Sequence, residues 1–162
     1  MDITALLLEH WPAVRTIYED GLATGNASFQ TSAPSWEEWD RSHLQHSRLV
    51  AVMDGQVRAW AALTPVSGRC VYAGVAEVSV YVDPVSRGQG IGEKLLLALI
   101  TESEKNGIWT VQAGIFPENL ASLRIHEKCG FRQIGYREKI GQLNGIWRNT
   151  IQLERRSKVI AQ

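Results

Sequence analysis

Apolar residues in the first part of the chain recur at helical spacing. Leu7, Trp11, Val14, Ile17 and Tyr18 share one side of a 3.6-residue repeat, which predicts a helix over 6–22 with Gly21 and Gly25 punctuating its end. Ser35-Trp36-Glu37-Glu38 reads as a capping box, a serine N-cap with a glutamate three residues on, and opens a second helix to about residue 46. The period then shortens to two. Residues 49–53 predict a strand, Asp54-Gly55 a hairpin turn and 57–63 its partner. A strand over 75–82 ends at Asp83-Pro84, because proline cannot donate to a ladder. An apolar helix over 92–106 is closed by Gly107, a strand follows over 109–116, and a helix over 120–128 stops at Gly130. Segments 131–140 and 146–153 flank Asn144-Gly145 and predict a closing hairpin. A short strand is expected at 2–5, and the tail from Arg155 is expected to fray.

This order predicts an α/β chain whose mixed, mostly antiparallel sheet is flanked by helices. Its 162 residues fit one domain, 1–162, long enough to bury a core without disulfides or a structural metal. Lys plus Arg, at 17, balance Asp plus Glu, at 17, so no bulk field directs the chain to nucleic acid or anionic lipid. Any anion site must therefore come from backbone geometry. Met1-Asp2-Ile3-Thr4 lacks a basic flank, and Glu9 and His10 break the run Leu6-Leu7-Leu8, so no signal peptide is expected. No stretch reaches the length of a membrane span. Cys70 and Cys129 stand far apart, which argues against a disulfide framework and for a reducing cytoplasm. His10, His43, His46 and His126 have no cysteine or carboxylate companions at zinc spacing, so no metal site is expected.

The most specific segment runs from Val82 through Asp83-Pro84-Val85-Ser86-Arg87-Gly88-Gln89-Gly90-Ile91-Gly92 to Glu93-Lys94-Leu95. A strand stops, glycines alternate, and an apolar helix begins. Glycines admit left-handed backbone and close approach of a ligand, so successive N–H groups can converge on a phosphate at the positive end of the helix. Arg87 can add a charge-assisted contact. The G-x-G-x-G spacing is not a dinucleotide fingerprint, and Glu93 after Gly92 excludes a P-loop.

Upstream, Glu77, Ser79 and Tyr81 share one face of the predicted strand and Val78, Val80 and Val82 the other. Glu77, between Ala76 and Val78, reads as a half-buried carboxylate that could take a proton, or as one that pairs across the sheet or faces water.

Arg87-Gly88-Gln89-Gly90-Ile91-Gly92 resembles the pyrophosphate-binding motif of the GNAT acyltransferase superfamily. Asn119-Leu120-Ala121-Ser122 followed by His126-Glu127-Lys128-Cys129-Gly130-Phe131 resembles its second cofactor motif. Arg69, Tyr72, Glu77 and Ser79-Val80-Tyr81-Val82 are similar to the pattern of phosphinothricin and methionine-sulfoximine acetyltransferases.

The resemblance implies a GNAT fold splayed near Val82, acetyl-CoA as co-substrate, and direct transfer to a free amine. It assigns the loop from Arg87 to Glu93 to the diphosphate, and the strand at Val80, Tyr81 and Val82 to the pantetheine arm. Asn119 and Ser122 join that arm, though Asn119 also reads as a plain N-cap. Glu77 is implied as general base. His126, where many members carry a tyrosine, is implied as proton donor to the departing thiol, with a buried structural histidine as the alternative. Phe29, Arg69, Tyr72 and Ser79 are implied around a small amino-acid-like substrate, with Trp147 held more loosely. The family's Trp-x-Asp is here Trp147-Arg148-Asn149, without the acid. A homodimer is implied. A protein N-terminus or lysine as acceptor, or a sensor of acetyl-CoA without turnover, remain as alternatives.

Overall fold

Seven strands form one sheet in a computed structural model that describes residues 1–162. They are Asp2–Ala5 (β1), Leu49–Met53 (β2), Gln56–Pro65 (β3), Val75–Val82 (β4), Thr110–Ile115 (β5), Arg132–Leu143 (β6) and Ile146–Arg156 (β7). The order is β1-β2-β3-β4-β5-β7-β6, and every neighbouring pair is antiparallel except β4 with β5. Four helices flank it: Trp11–Ala23 (α1), Trp36–Ser42 (α2), Ile91–Lys105 (α3) and Leu120–Lys128 (α4). This is the mixed α/β architecture that the periodicity predicted.

Local chemistry explains the turns. Asp54-Gly55 and Asn144-Gly145 each place both residues at positive φ, at 51° and 75° and at 50° and 80°, as two-residue hairpins of this hand require. Ser35 caps α2 by accepting from Glu38 N at 3.2 Å.

Three boundaries differ from expectation. Residues 8–10 form a 3-10 turn, and α1 begins at Trp11 with proline in its first turn, where the missing N–H costs nothing. Leu7 is consequently exposed, off the apolar stripe. The second helix stops at Ser42 rather than near residue 46, because Leu44 N donates to Leu63 O at 2.9 Å and draws the chain onto β3. The last strand runs through Arg156, past the point where fraying was expected. Arg156 pairs with Thr110, and buried Ser157 donates from N to Trp109 O at 2.7 Å.

The core has two halves, one on each face of the sheet. Leu95, Leu96 and Leu99 of α3 pack with Ala61, Val78 and Val111. Trp11 and Tyr18 of α1 and Trp39 of α2 pack with Trp60 on the opposite face. Strand alternation sends Ala76 and Val78 into the first half and Tyr81 against the second, where its ring stacks on Trp60 at 5.0 Å and 7°.

The sheet opens between β4 and β5. β4 stays paired with β3 up to Val82, but with β5 only at Val75, Ala76 and Glu77. The opening thus starts just after Glu77, earlier than the expected point near Val82. β5 remains bonded to β7 as far as Ile115, so β4 follows β3 while β5 follows β7, and the sheet's twist parts them.

Candidate active site

The opening exposes main chain. Asp83 N donates to Arg58 O at 2.7 Å and Val75 O accepts from Val66 N at 3.3 Å, so odd-numbered residues here turn their polar groups toward β3. By alternation, the amides and carbonyls of Val80 and Val82 face the gap. The main chain of Tyr81 faces β3 instead, and its ring lies in the aromatic packing. Burial, with Tyr18 beside it, raises the Tyr81 phenol pKa and keeps it protonated.

Past Val82, Asp83 is held by Arg58 at 3.0 Å and accepts at its main-chain oxygen from Ser86 N. Gly88 and Gly90 then sit at φ 79° and 76°, and Gly90 is the left-handed N-cap of α3 with no side chain capping it. The first helical bond is Lys94 N to Gly90 O at 3.2 Å, which leaves the amides of Ile91, Gly92 and Glu93 without helical acceptors. These donors and the helix's positive end form a place for an anion. Gly92 serves packing: a Cβ there would lie 3.1 Å from Ile125 Cδ1 and 3.3 Å from Val82 Cγ2.

Strand, loop and helix end line one cleft of about 1220 Å³. Of the implied loop residues, only Gln89 does not line it. Arg124 and Lys128 of α4 do, and the sequence reading missed them. Their i, i+4 spacing on the second motif's helix was the available signal. No group of His, Cys, Asp and Glu side chains gathers as a metal cluster would.

Glu77 is half-buried at the fork, opposite Thr64 on β3 and Gln112 on β5, and accepts from Gln112 Nε2 at 3.4 Å. Ser79 and Tyr81 share its face, and all three border the cleft. On the far wall, Asn119 caps α4 by accepting from Ser122 N at 3.2 Å, and its Nδ2 donates to Asn26 O at 3.1 Å. The N-cap and a tie to the loop after α1 thus share one side chain.

His126 is buried, edge-on to Phe131 at 5.0 Å, with Nδ1 2.7 Å from Ser122 O. A carbonyl oxygen only accepts, so Nδ1 carries the proton. Burial lowers the pKa of the ring, so the neutral form presents an Nε2 that can accept a proton but has none to give.

The loop after α1 lines the cleft from Asn26 to Gln30. Arg148 Nη1 donates to Gly25 O at 2.7 Å and Nη2 to Asn26 Oδ1 at 2.8 Å, while the guanidinium lies 4.2 Å from the Phe116 ring. Phe29 meets Phe116 edge-on at 5.0 Å and lines the cleft as expected. Trp147 is exposed and outside the cleft, and Asn149 accepts from Lys139 N at 2.7 Å in a bulge of β6. Arg69 and Tyr72 also lie outside it. They are exposed, with the guanidinium 5.6 Å from the tyrosine ring, because Val66 N closes on Val75 O and the intervening loop projects from the sheet's end. His43 and Thr64, which the sequence did not single out for the site, also line the cleft, Thr64 in register with Glu77.

The model of the Acetyltransferase (GNAT) family matches residues 9–131. Phosphinothricin N-acetyltransferase of Alcaligenes faecalis is 34% identical over 151 residues, covering 89% of this chain and 76% of that protein. The L-methionine sulfoximine/L-methionine sulfone acetyltransferase of Salmonella typhimurium is 34% identical over 113 residues, covering 70% and 66%. Among solved structures, the ribosomal-protein-alanine N-acetyltransferase of Brucella melitensis superposes with TM-score 0.88 at 29% identity, covering 97% and 100%. The Salmonella typhimurium protein yncA, solved with its cofactor acetyl-CoA, gives TM-score 0.88 at 26% identity, covering 96% and 93%.

Proposed function

The chain belongs to the acetyltransferase (GNAT) family, and on that premise we propose that it acetylates the free amino group of a small amino-acid-like substrate of the phosphinothricin or methionine sulfoximine type. It is an N-acetyltransferase with acetyl-CoA as co-substrate. The observation that carries the reading is one continuous cleft joining the gap-facing main chain of β4, the uncapped start of α3 and the Glu77 carboxylate.

The residues fit such a co-substrate. The free amides at 91–93 and the positive-φ glycines at 88 and 90 suit a diphosphate, with Arg87, Arg124 and Lys128 adding charge at the rim. Val80 and Val82 suit the amides of the pantetheine arm, which extends β4's edge as an added strand would. Acetyl-CoA supplies the activated acetyl group. Glu77 takes a proton from the incoming ammonium, and a main-chain N–H at Val80 stabilises charge developing on the carbonyl oxygen. Transfer is direct. Neither cysteine lines the cleft, and the Cys129 thiol is buried with its pKa pushed up to about 11, chiefly by that burial, which supports a route without an acyl-enzyme. We assign His126 to bracing α4, since its neutral tautomer supports that role over proton donation.

A homodimer and a cytoplasmic setting belong to the same reading. Ile134, Tyr136, Ile140, Ile146 and Trp147 leave an exposed apolar surface on the β6–β7 hairpin, and both cysteines are free. Sedimentation at twice the monomer mass supports the dimer, and a monomer at all concentrations contradicts it.

The Brucella melitensis likeness favours a second acceptor, a protein N-terminal alanine. Thiol release with phosphinothricin, methionine sulfoximine, methionine sulfone, a polyamine and an alanyl peptide decides between them. Turnover is expected with the amino-acid analogues. Turnover confined to the peptide selects the second acceptor, and tight coenzyme binding without any release overturns the enzyme assignment.

A further inference from the structure

His43, which terminates α2, leaves the helix in extended conformation, with φ −104° and ψ 155°. Leu44 then fastens to β3 through Leu63 O, next to Thr64, and Thr64 is in register with Glu77. His43, Thr64 and Glu77 all line the cleft.

The imidazole is fixed on two sides. Its ring stacks on Trp39 with centroids 4.1 Å and planes 19° apart. Its Nδ1 lies 2.7 Å from Trp39 O and 3.0 Å from Ser42 Oγ. A carbonyl only accepts, so Nδ1 bears the proton. Burial pulls its pKa down to about 4, and the Arg48 cation pushes the same way, so near neutral pH the ring is uncharged and Nε2 carries a lone pair. Nε2 has no protein partner, yet it is not sealed in. The buried polar side-chain atoms without a partner are the indole nitrogens of Trp39 and Trp60.

We infer that His43 is a specificity-determining residue of the amine site, its Nε2 accepting a hydrogen bond from the amino group whose proton Glu77 takes. The inference rests on the acetyl-transfer reading above. A carboxylate and an imidazole nitrogen lining one cleft both accept, so they call for an amine with hydrogens to spare. A primary ammonium has three. One passes to Glu77 before attack. A second leaves the nitrogen as the N–C bond forms and the C–S bond breaks, and ends on the thiol. The third remains as the amide N–H, and His43 Nε2 holds it throughout. An N-methyl amine loses both of its hydrogens in acetylation and leaves Nε2 facing no donor. A site that presents a half-buried acceptor discriminates against a substrate that lacks the matching donor.

The test compares phosphinothricin, methionine sulfone and an alanyl peptide, each beside its N-methyl derivative. Two variants lack Nε2. His43→Phe keeps the stack on Trp39, and His43→Asn keeps an amide donor within reach of Trp39 O. Wild type is expected to prefer primary amines by about 100-fold in kcat/KM. Both variants are expected to cut that preference about tenfold, through a raised KM for the primary amine with the KM for acetyl-CoA unchanged. A histidine that only braced α2 would leave His43→Asn like wild type. Unchanged preference in either folded variant overturns the inference alone. No release from wild type with any primary amine overturns acetyl transfer itself, and the inference with it.

Discussion

The two ends of the cleft are built by opposite means. At the proposed coenzyme end, one unbroken stretch from Val75 to Lys105 supplies strand, turn and helix, and the groups proposed to bind are mainly backbone amides, with Arg124 and Lys128 of α4 at the rim. At the proposed acceptor end the groups are side chains brought from far apart. Arg148 reaches back to Gly25 and Asn26, Asn119 reaches Asn26, and Glu77 sits between Thr64 and Gln112. A site made of local backbone tolerates drift in distant residues, because α3 presents its amides whatever surrounds it. A site made of distant side chains changes whenever one loop changes.

Substitutions at each end sharpen the contrast. The largest effect is expected from Glu77→Gln, which should lower turnover about 10²–10⁴-fold with coenzyme affinity retained. Near-wild-type turnover across the pH range would remove Glu77 as the base. Gly90→Val should weaken coenzyme binding about tenfold or more, because a β-branched residue at φ 76° costs roughly 1–2 kcal/mol or turns the amides away. A calorimetric affinity equal to wild type would break the assignment of that loop.

Arg148→Ala should raise the amine KM several-fold and cost about 1 kcal/mol of stability by releasing two half-buried acceptors, while coenzyme affinity stays the same. Equal losses at both ends would mean that they are not separate. The smallest effect concerns pH. His43 at about 4 and His126, also lowered, sit below the unfolded value of 6.5, so the unfolded chain binds more protons in between. Stability is therefore full above about pH 6.5 and declines as pH falls toward 4. His43→Phe should flatten that decline in Tm without removing it, because His126 and His46 are shifted in the same sense.

The same contrast governs what could be read from residues alone. The strand at 75–82, the helix at 120–128 and both two-residue turns were legible because period and turn chemistry are local. Glu77, Ser79 and Tyr81 could be placed on one face for the same reason. The end of α2 was not legible. Nothing between Ser42 and His46 breaks a helix, and the force that does, the Leu44 bond to Leu63, comes from a strand not yet formed. Arg69 and Tyr72 were carried over by motif, but whether their loop folds over Glu77 depends on how the chain closes between Val66 and Val75. His43 carried no local sign of its place, since its burial and its Nδ1 partner exist only in the folded chain. The main chain of Tyr81 could have been set aside from strand parity alone, had the direction of the β3 pairing been known.

The central claim is that gap-facing main chain of β4 and the uncapped start of α3 together hold the coenzyme. A crystal structure of the chain with coenzyme A tests it most directly. The account predicts the diphosphate within hydrogen-bond distance of amides from Gly88 to Glu93, and the pantetheine amides paired with Val80 and Val82. A diphosphate seated away from those amides, or an arm lying clear of β4, would contradict it.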